Sequence, residues 1–280
     1  MRCLRQWQQE GRAEIGAHLE PWTTPPFLPG EKKDPAMQAF PSELPAPWFA
    51  RKLETITSRL GKTIATAPRS FRAARWGLNG SMVRALEACG YLVDCSVTPG
   101  ISWHRERGLT GGTGGPDFRS APLRPYPLSV DNVCCPGDTD ILEVPPTILC
   151  TGALSHGDSP LARRFSRLSD SLLKRLLNRL VFRRRWLRIS RTSGLRDWRQ
   201  FLLAARRAGL DVLQFMIHSS ELMAGTSPLT RSEEEAGVVW AKLEEMLRFF
   251  GEEELSGCTL LEYRKEGEAC SAGRRTEERP

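Results

Sequence analysis

Short apolar runs alternate along this chain with longer stretches whose apolar residues recur at helical spacing. The runs AEIGAHL (13–19), SFRAA (70–74), YLVDCSV (91–97), DILEVPPTI (140–148), RWLRIS (185–190) and VLQFMIH (212–218) predict strands, and TLLEY (259–263) a further one. Helices are predicted at 3–10, 48–62, 80–89, 160–182, 194–208 and 232–250, the third of them stopping at Gly90. Strand and helix in alternation predict an α/β fold with a parallel sheet or barrel inside and helices outside. No internal repeat is present. The pattern predicts one domain over 1–264 and a charged, disordered tail over 265–280.

Two segments break the rhythm. Residues 21–47 are rich in Pro and polar groups, and 99–139 contain GLTGGTGGPDFR and PLRPYPL. Both follow a predicted strand, and loops at the C-terminal ends of parallel strands commonly carry the site. The TGGTGG run itself is not a phosphate cradle, because Pro116, Asp117 and Phe118 follow it where a helix would have to start.

At 280 residues and 40% hydrophobic, the chain can bury a large core. Its formal charge of +7 would raise nucleic acid as a partner, but the excess is concentrated in residues 163–207 while 232–254 are acidic. That distribution predicts a local basic face and no nucleic-acid partner. Eight cysteines show neither a CxxC pair nor zinc-finger spacing, so they are read as mostly reduced. The first residues lack the apolar run of a signal peptide, and no stretch approaches the roughly 18 apolar residues of a membrane helix, so a cytoplasmic location is expected.

Three polar groups stand at the ends of apolar strands: His18 after AEIGA, Asp94 after YLV and His218 after LQFMI. A lone histidine there is more often a hydrogen-bonded core group than a catalyst. Two histidines and a carboxylate at equivalent strand ends favour a site, since parallel topology gathers strand ends on one face. Arg72 adds a cation that either pairs with a carboxylate or forms a surface ion pair. Trp76 and Trp103 are candidates for stacking on sugar rings, or for core. Asp117 either reaches the pocket or caps a turn. His104 and His156 stand in loops with no partner legible in sequence.

The run EIGAH, then SFRAARWG, GYLVDCSVTPGISW, GGPDFR, LEVPPT and FMIHSSEL, in this order, resembles the polysaccharide deacetylase family with the NodB-homology fold. The resemblance extends over roughly residues 3–263 and is nearest to a bacterial branch with a His-containing HLxPWxTPP loop and an HSSEL ending. It implies a distorted (β/α) barrel and hydrolysis of N- or O-acetyl groups on an acetylated saccharide, with a divalent metal, commonly zinc. By resemblance, His18 is a metal ligand, Arg72 the arginine that orients the base, Asp94 a supporting carboxylate and His218 the general acid.

The chain departs from that pattern in two places. The family's aspartate pair ends a first strand before EIG-H, whereas only MRCLRQWQQEGRA stands there, which reads as a helix. The barrel is therefore expected to lack its first strand, and Met1 is read as an internal methionine of a longer frame in preference to the start of a divergent, inactive chain. The position four residues after His18, a second metal histidine in the family, is Trp22, with Glu20 as the substitute ligand considered. A non-catalytic saccharide-binding or scaffold protein is the alternative function. Residues 163–189, with Leu and Phe at helical spacing among Arg and Lys, are either an outer barrel helix with a solvated cationic face or a contact for anionic surfaces.

Overall fold

The computed structural model describes residues 2–27, 39–152, 159–168 and 171–277, with side chains as far as residue 268. Apolar strand segments and amphipathic helices give a mixed α/β chain whose helices match the predicted positions closely: α1 (Arg2–Gln9), α2 (Ala46–Ile64), α3 (Gly80–Ala88), α6 (Leu195–Ala208) and α7 (Glu233–Glu252). Their ends carry the expected chemistry. Asn79 Oδ1 accepts from the Met82 N–H at the start of α3, and Ser232 Oγ from Glu235 N–H at the start of α7. Gly209 closes α6 in the left-handed conformation.

The chain forms two compact units, 1–145 with 258–280 and 146–257. The division falls between Pro145 and Pro146. Two consecutive residues without an N–H cannot donate to a ladder. The run DILEVPPTI is accordingly split into β5 (Leu142–Glu143), in the first unit, and β6 (Ile148–Cys150), in the second.

In the first unit, β1 (Ala17–Leu19), β2 (Ser70–Ala73), β3 (Val93–Asp94) and β5 run parallel in that spatial order, and β4 (Tyr126–Pro127) pairs antiparallel to β5. Phe71 centres the core on one face, edge-on to Phe49 of α2 and to Tyr91, with Leu53, Met82 and Leu86 buried around it. The described sheet ends at β1 on one side and β4 on the other.

The predicted strand at 259–263 is instead the start of α8 (Leu260–Glu277), which also occupies much of the predicted tail. The reason is a reciprocal cap: Glu262 N–H donates to Thr259 Oγ1, and Thr259 N–H donates to the Glu262 carboxylate. Glu14 accepts from Leu261 N–H, and Arg264 donates to Leu92 O and Asp140, which ties α8 to the first unit.

In the second unit β6 pairs antiparallel with β7 (Arg184–Trp186). The predicted helix 160–182 is two short helices, α4 (Pro160–Arg167) and α5 (Leu172–Leu177), followed by a wide helical turn at Asn178–Phe182. Ser171 caps α5 by accepting from Lys174 N–H, so a new helix starts there. Residues 212–218 form no strand, although Met216 N–H bonds Leu187 O and Gln214 N–H bonds Thr147 Oγ1. The seven cysteines among the described side chains are free thiols, and no described helix is long and apolar enough to cross a membrane.

Candidate functional site

Parallel register places His18 opposite Arg72, and Phe71 opposite Asp94, so three candidate side chains lie on consecutive strands of one sheet. His18 Nδ1 is 2.9 Å from Arg72 O. A carbonyl oxygen only accepts, so Nδ1 carries the proton and a neutral His18 keeps its lone pair on Nε2. That nitrogen, on a half-exposed ring, stands 3.9 Å from Glu20 Oε1. The chain then turns at once: Thr23 and Thr24 N–H both bond Glu20 O, and the fully buried Lys52 of α2 donates to Pro21 O at 2.9 Å and Thr24 O at 2.7 Å.

After β2 the backbone makes a strained turn. Arg75 and Trp76 both adopt positive φ, 52° and 64°, a conformation costly for side chains of that size. The turn sets the Trp76 ring 5.3 Å from the Arg72 guanidinium, whose Nε also donates to Cys95 O. Arg75 goes the other way, over the Phe40 ring and onto Arg107 O.

Asp94 is more deeply placed than a pocket-lining group. It is 0% exposed and accepts from Ser96 N–H at 2.7 Å and Ser96 Oγ at 2.9 Å, while that same Oγ accepts from Ala73 N–H. Directly opposite in the β3–β5 register is Glu143, also 0% exposed, whose Oε1 accepts from Val97 N–H. Burial pushes Glu143 well above the usual carboxylate range, and the neighbouring Asp94 charge pushes it further. Burial also raises Asp94, opposed by the bond from Glu143, by Ser96 and by Arg72. Asp94 is the better donated of the two and is the carboxylate; the proton of the pair lies on Glu143, whose second oxygen, Oε2, is buried without a hydrogen-bond partner. Tyr126 is raised as well, chiefly by its own burial and secondarily by the carboxyls beside it.

Trp103 donates from Nε1 to Thr98 Oγ1 and exchanges backbone bonds with Pro116 and Gly115. Asp117, paired by a bridge to Ser102, is held by Arg119 two residues on, which keeps its carboxyl below the usual range. This is a turn-capping arrangement. The glycine-rich loop before it has a specific partner, Glu43, whose carboxylate accepts from Phe40, Leu109 and Gly114 N–H. A Cβ at Gly108 or Gly112 would stand 2.0 or 2.2 Å from that carboxylate, so glycine is required where the backbone wraps it.

His218 belongs to the second unit. Its Nδ1 is 3.4 Å from Arg188 Nη2 and 3.4 Å from Glu221 Oε1, and its N–H donates to Glu221 Oε2. Glu221 is buried and paired with Arg188. The ring itself is exposed. Sequence reading passed over Glu143, Glu43, Arg188 and Glu221; HSSEL carried a signal for the last, a capping spacing, since Glu221 sits three residues after His218. His156 lies outside the described residues.

Among the described residues no group of three or more His, Cys, Asp or Glu side chains converges to hold an ion. His18 Nε2 and Glu20 supply two donors, whereas a catalytic zinc ordinarily takes three from the protein. The residues described do not fit a held metal.

The site thus belongs to a mixed α/β protein with a parallel sheet, its candidate groups at the carboxyl ends of β1, β2 and β3. No protein-family model matches the chain, and no curated protein does. Among solved structures it is similar to "Crystal structure of putative polysaccharide deacetylase from Mycobacterium smegmatis", with 15% identity, 92% of this chain and 70% of that one covered, and a TM-score of 0.38. At that score the superposition is too shallow for one chain to inform the other.

Proposed function

We propose that the chain is a polysaccharide deacetylase-like hydrolase, in the barrel architecture its motifs resemble, acting on an acetylated saccharide at the carboxyl ends of β1, β2 and β3. The observation that carries this reading is the register pair His18–Arg72, with Arg72 stacked over a Trp76 held in a strained turn. Strain of that kind is retained where a side chain has to be presented. Trp76 and Trp103 offer the ring faces for the sugar, and His18 presents an unprotonated Nε2 toward the bound group. Of the metal ligands that the resemblance implies, the described residues supply only His18 and Glu20, Nε2 to Oε1 3.9 Å, which is too few to hold the ion. By the resemblance alone His218, in the second unit, has the role of general acid: as water adds to the acetyl carbon and the bond to nitrogen or oxygen breaks, the acid's proton goes to the leaving amine or alcohol and acetate is the other product.

A second reading is saccharide binding without turnover. The two-donor set at His18 and Glu20 favours it. Acetate release from an N-acetylated oligosaccharide, assayed with and without added zinc, separates the two. Turnover lost in His18→Gln supports the hydrolase, binding without turnover supports the second reading, and absence of both overturns each.

A further inference from the structure

The segment that carries α4, α5 and the turn after them is built inside out. An amphipathic helix on a protein surface ordinarily turns leucines inward and cations outward. Here Lys174 is buried, donating from Nζ to Leu168 O at the end of α4, while Leu172 is 82% and Leu173 64% exposed in the same first turn of α5. Leu161, Leu168, Leu176 and Leu180 are exposed as well. Inward contacts come from Ala162 and Phe165, packed with Cys150, and from the partly buried Leu177 and Phe182, the latter stacked on Phe165. Exposed arginines stand among the outward leucines: Arg163, Arg164, Arg167, Arg175, Arg179 and Arg183.

Exposed apolar area of this extent marks a contact surface. Its charge selects the occupant: residues 159–188 contain ten Lys and Arg against a single Asp, Asp170. We propose that α4, α5 and the turn at Asn178–Phe182 form a docking surface for an anionic phospholipid membrane, with Leu172, Leu173 and Leu176 entering the headgroup boundary and Arg164, Arg175 and Arg179 on the lipid phosphates. The interleaving of leucine and arginine matches that interface, where apolar burial and attraction to anionic headgroups add. No described helix is long and apolar enough to cross a bilayer, and the proposed contact is peripheral. It stands on the second unit and does not depend on the saccharide reading.

The test uses the full 280-residue chain and sedimentation with vesicles, either of phosphatidylcholine alone or of phosphatidylcholine with phosphatidylglycerol. Binding is expected to the mixed vesicles and to weaken as salt is raised. Leu172→Ser, Leu173→Ser and Leu176→Ser together should weaken it at least about tenfold, and Arg164→Glu, Arg175→Glu and Arg179→Glu should remove the preference for phosphatidylglycerol. All six positions are exposed, so unchanged thermal unfolding of both variants verifies the fold. The proposal is overturned if the folded chain binds neither vesicle at low salt, or binds both alike. It is equally overturned if binding goes to RNA only, or if the leucine substitutions instead abolish self-association, which assigns the face to a second copy.

Discussion

Asp94 and Glu143 lie directly opposite each other on neighbouring parallel strands, and neither carboxyl is exposed to solvent. Two carboxyls this close inside the core cannot both ionise, so the fold retains a proton on Glu143 that the unfolded chain releases. The sign follows. A carboxyl whose folded pKa is raised binds more protons in the native state, so its contribution is complete below the unfolded value of 4.5 and is lost as pH rises toward the folded value. Glu143→Gln keeps the size and shape of the side chain and removes the titration. Thermal unfolding from about pH 5 to about pH 8 should show the variant gaining on the wild type as pH rises. A constant difference between the two across that range counts against a shared proton.

Trp76 and Arg72 give the saccharide reading a binding test that does not need turnover. Trp76→Ala removes the ring under the guanidinium and the flat face offered to a sugar. Affinity for an acetylated oligosaccharide, measured by calorimetry, should fall about tenfold, equivalent to about 1.4 kcal/mol. His18→Gln should leave that affinity within about threefold while abolishing turnover.

Lys52 is a buried cation that donates to main-chain carbonyls of the Pro21–Thr24 turn, with its ammonium 4.8 Å from the Phe27 ring. Lys52→Met preserves most of the volume and strands both carbonyls. The expected cost is about 2–4 kcal/mol of stability. Amide hydrogen exchange should localise the loss to residues 21–27, next to His18 and Glu20, before any global opening.

Much of this architecture was legible because its signals are local. The strand ends at His18 and Arg72 follow from apolar runs that stop at a polar residue, and the helix ends from Asn79, Ser232 and Gly209. Glu143 was illegible for the opposite reason. It sits inside the apolar run ILEV, where a single Glu reads as the solvent face of a strand, and only the register with Asp94 shows that it is internal. Glu43 reaches Leu109 and Gly114 across more than sixty residues of chain, so no local window connects it to the glycines it requires. Two misses had signals in plain view. Pro145 and Pro146 interrupt the run read as one strand, and Thr259 with Glu262 is a capping box inside the run read as another.

His218, Arg188 and Glu221 form a cluster in which the three members carry unequal weight. Glu221 is buried and accepts from Arg188 and from the His218 main chain, while the His218 side chain is 63% exposed. Arg188→Ala therefore leaves a buried carboxylate without its cation, and the expected cost is about 3 kcal/mol. His218→Ala retains both the ion pair and the main-chain bond, so its cost should stay under about 1 kcal/mol. Urea unfolding of the two variants measures this ordering. If His218→Ala proves the more damaging, the histidine is a structural member of the cluster, and its use as an acid on a leaving group loses its basis. If the ordering holds, the exposed ring is carried by the fold without being needed for it, as a group reserved for chemistry would be.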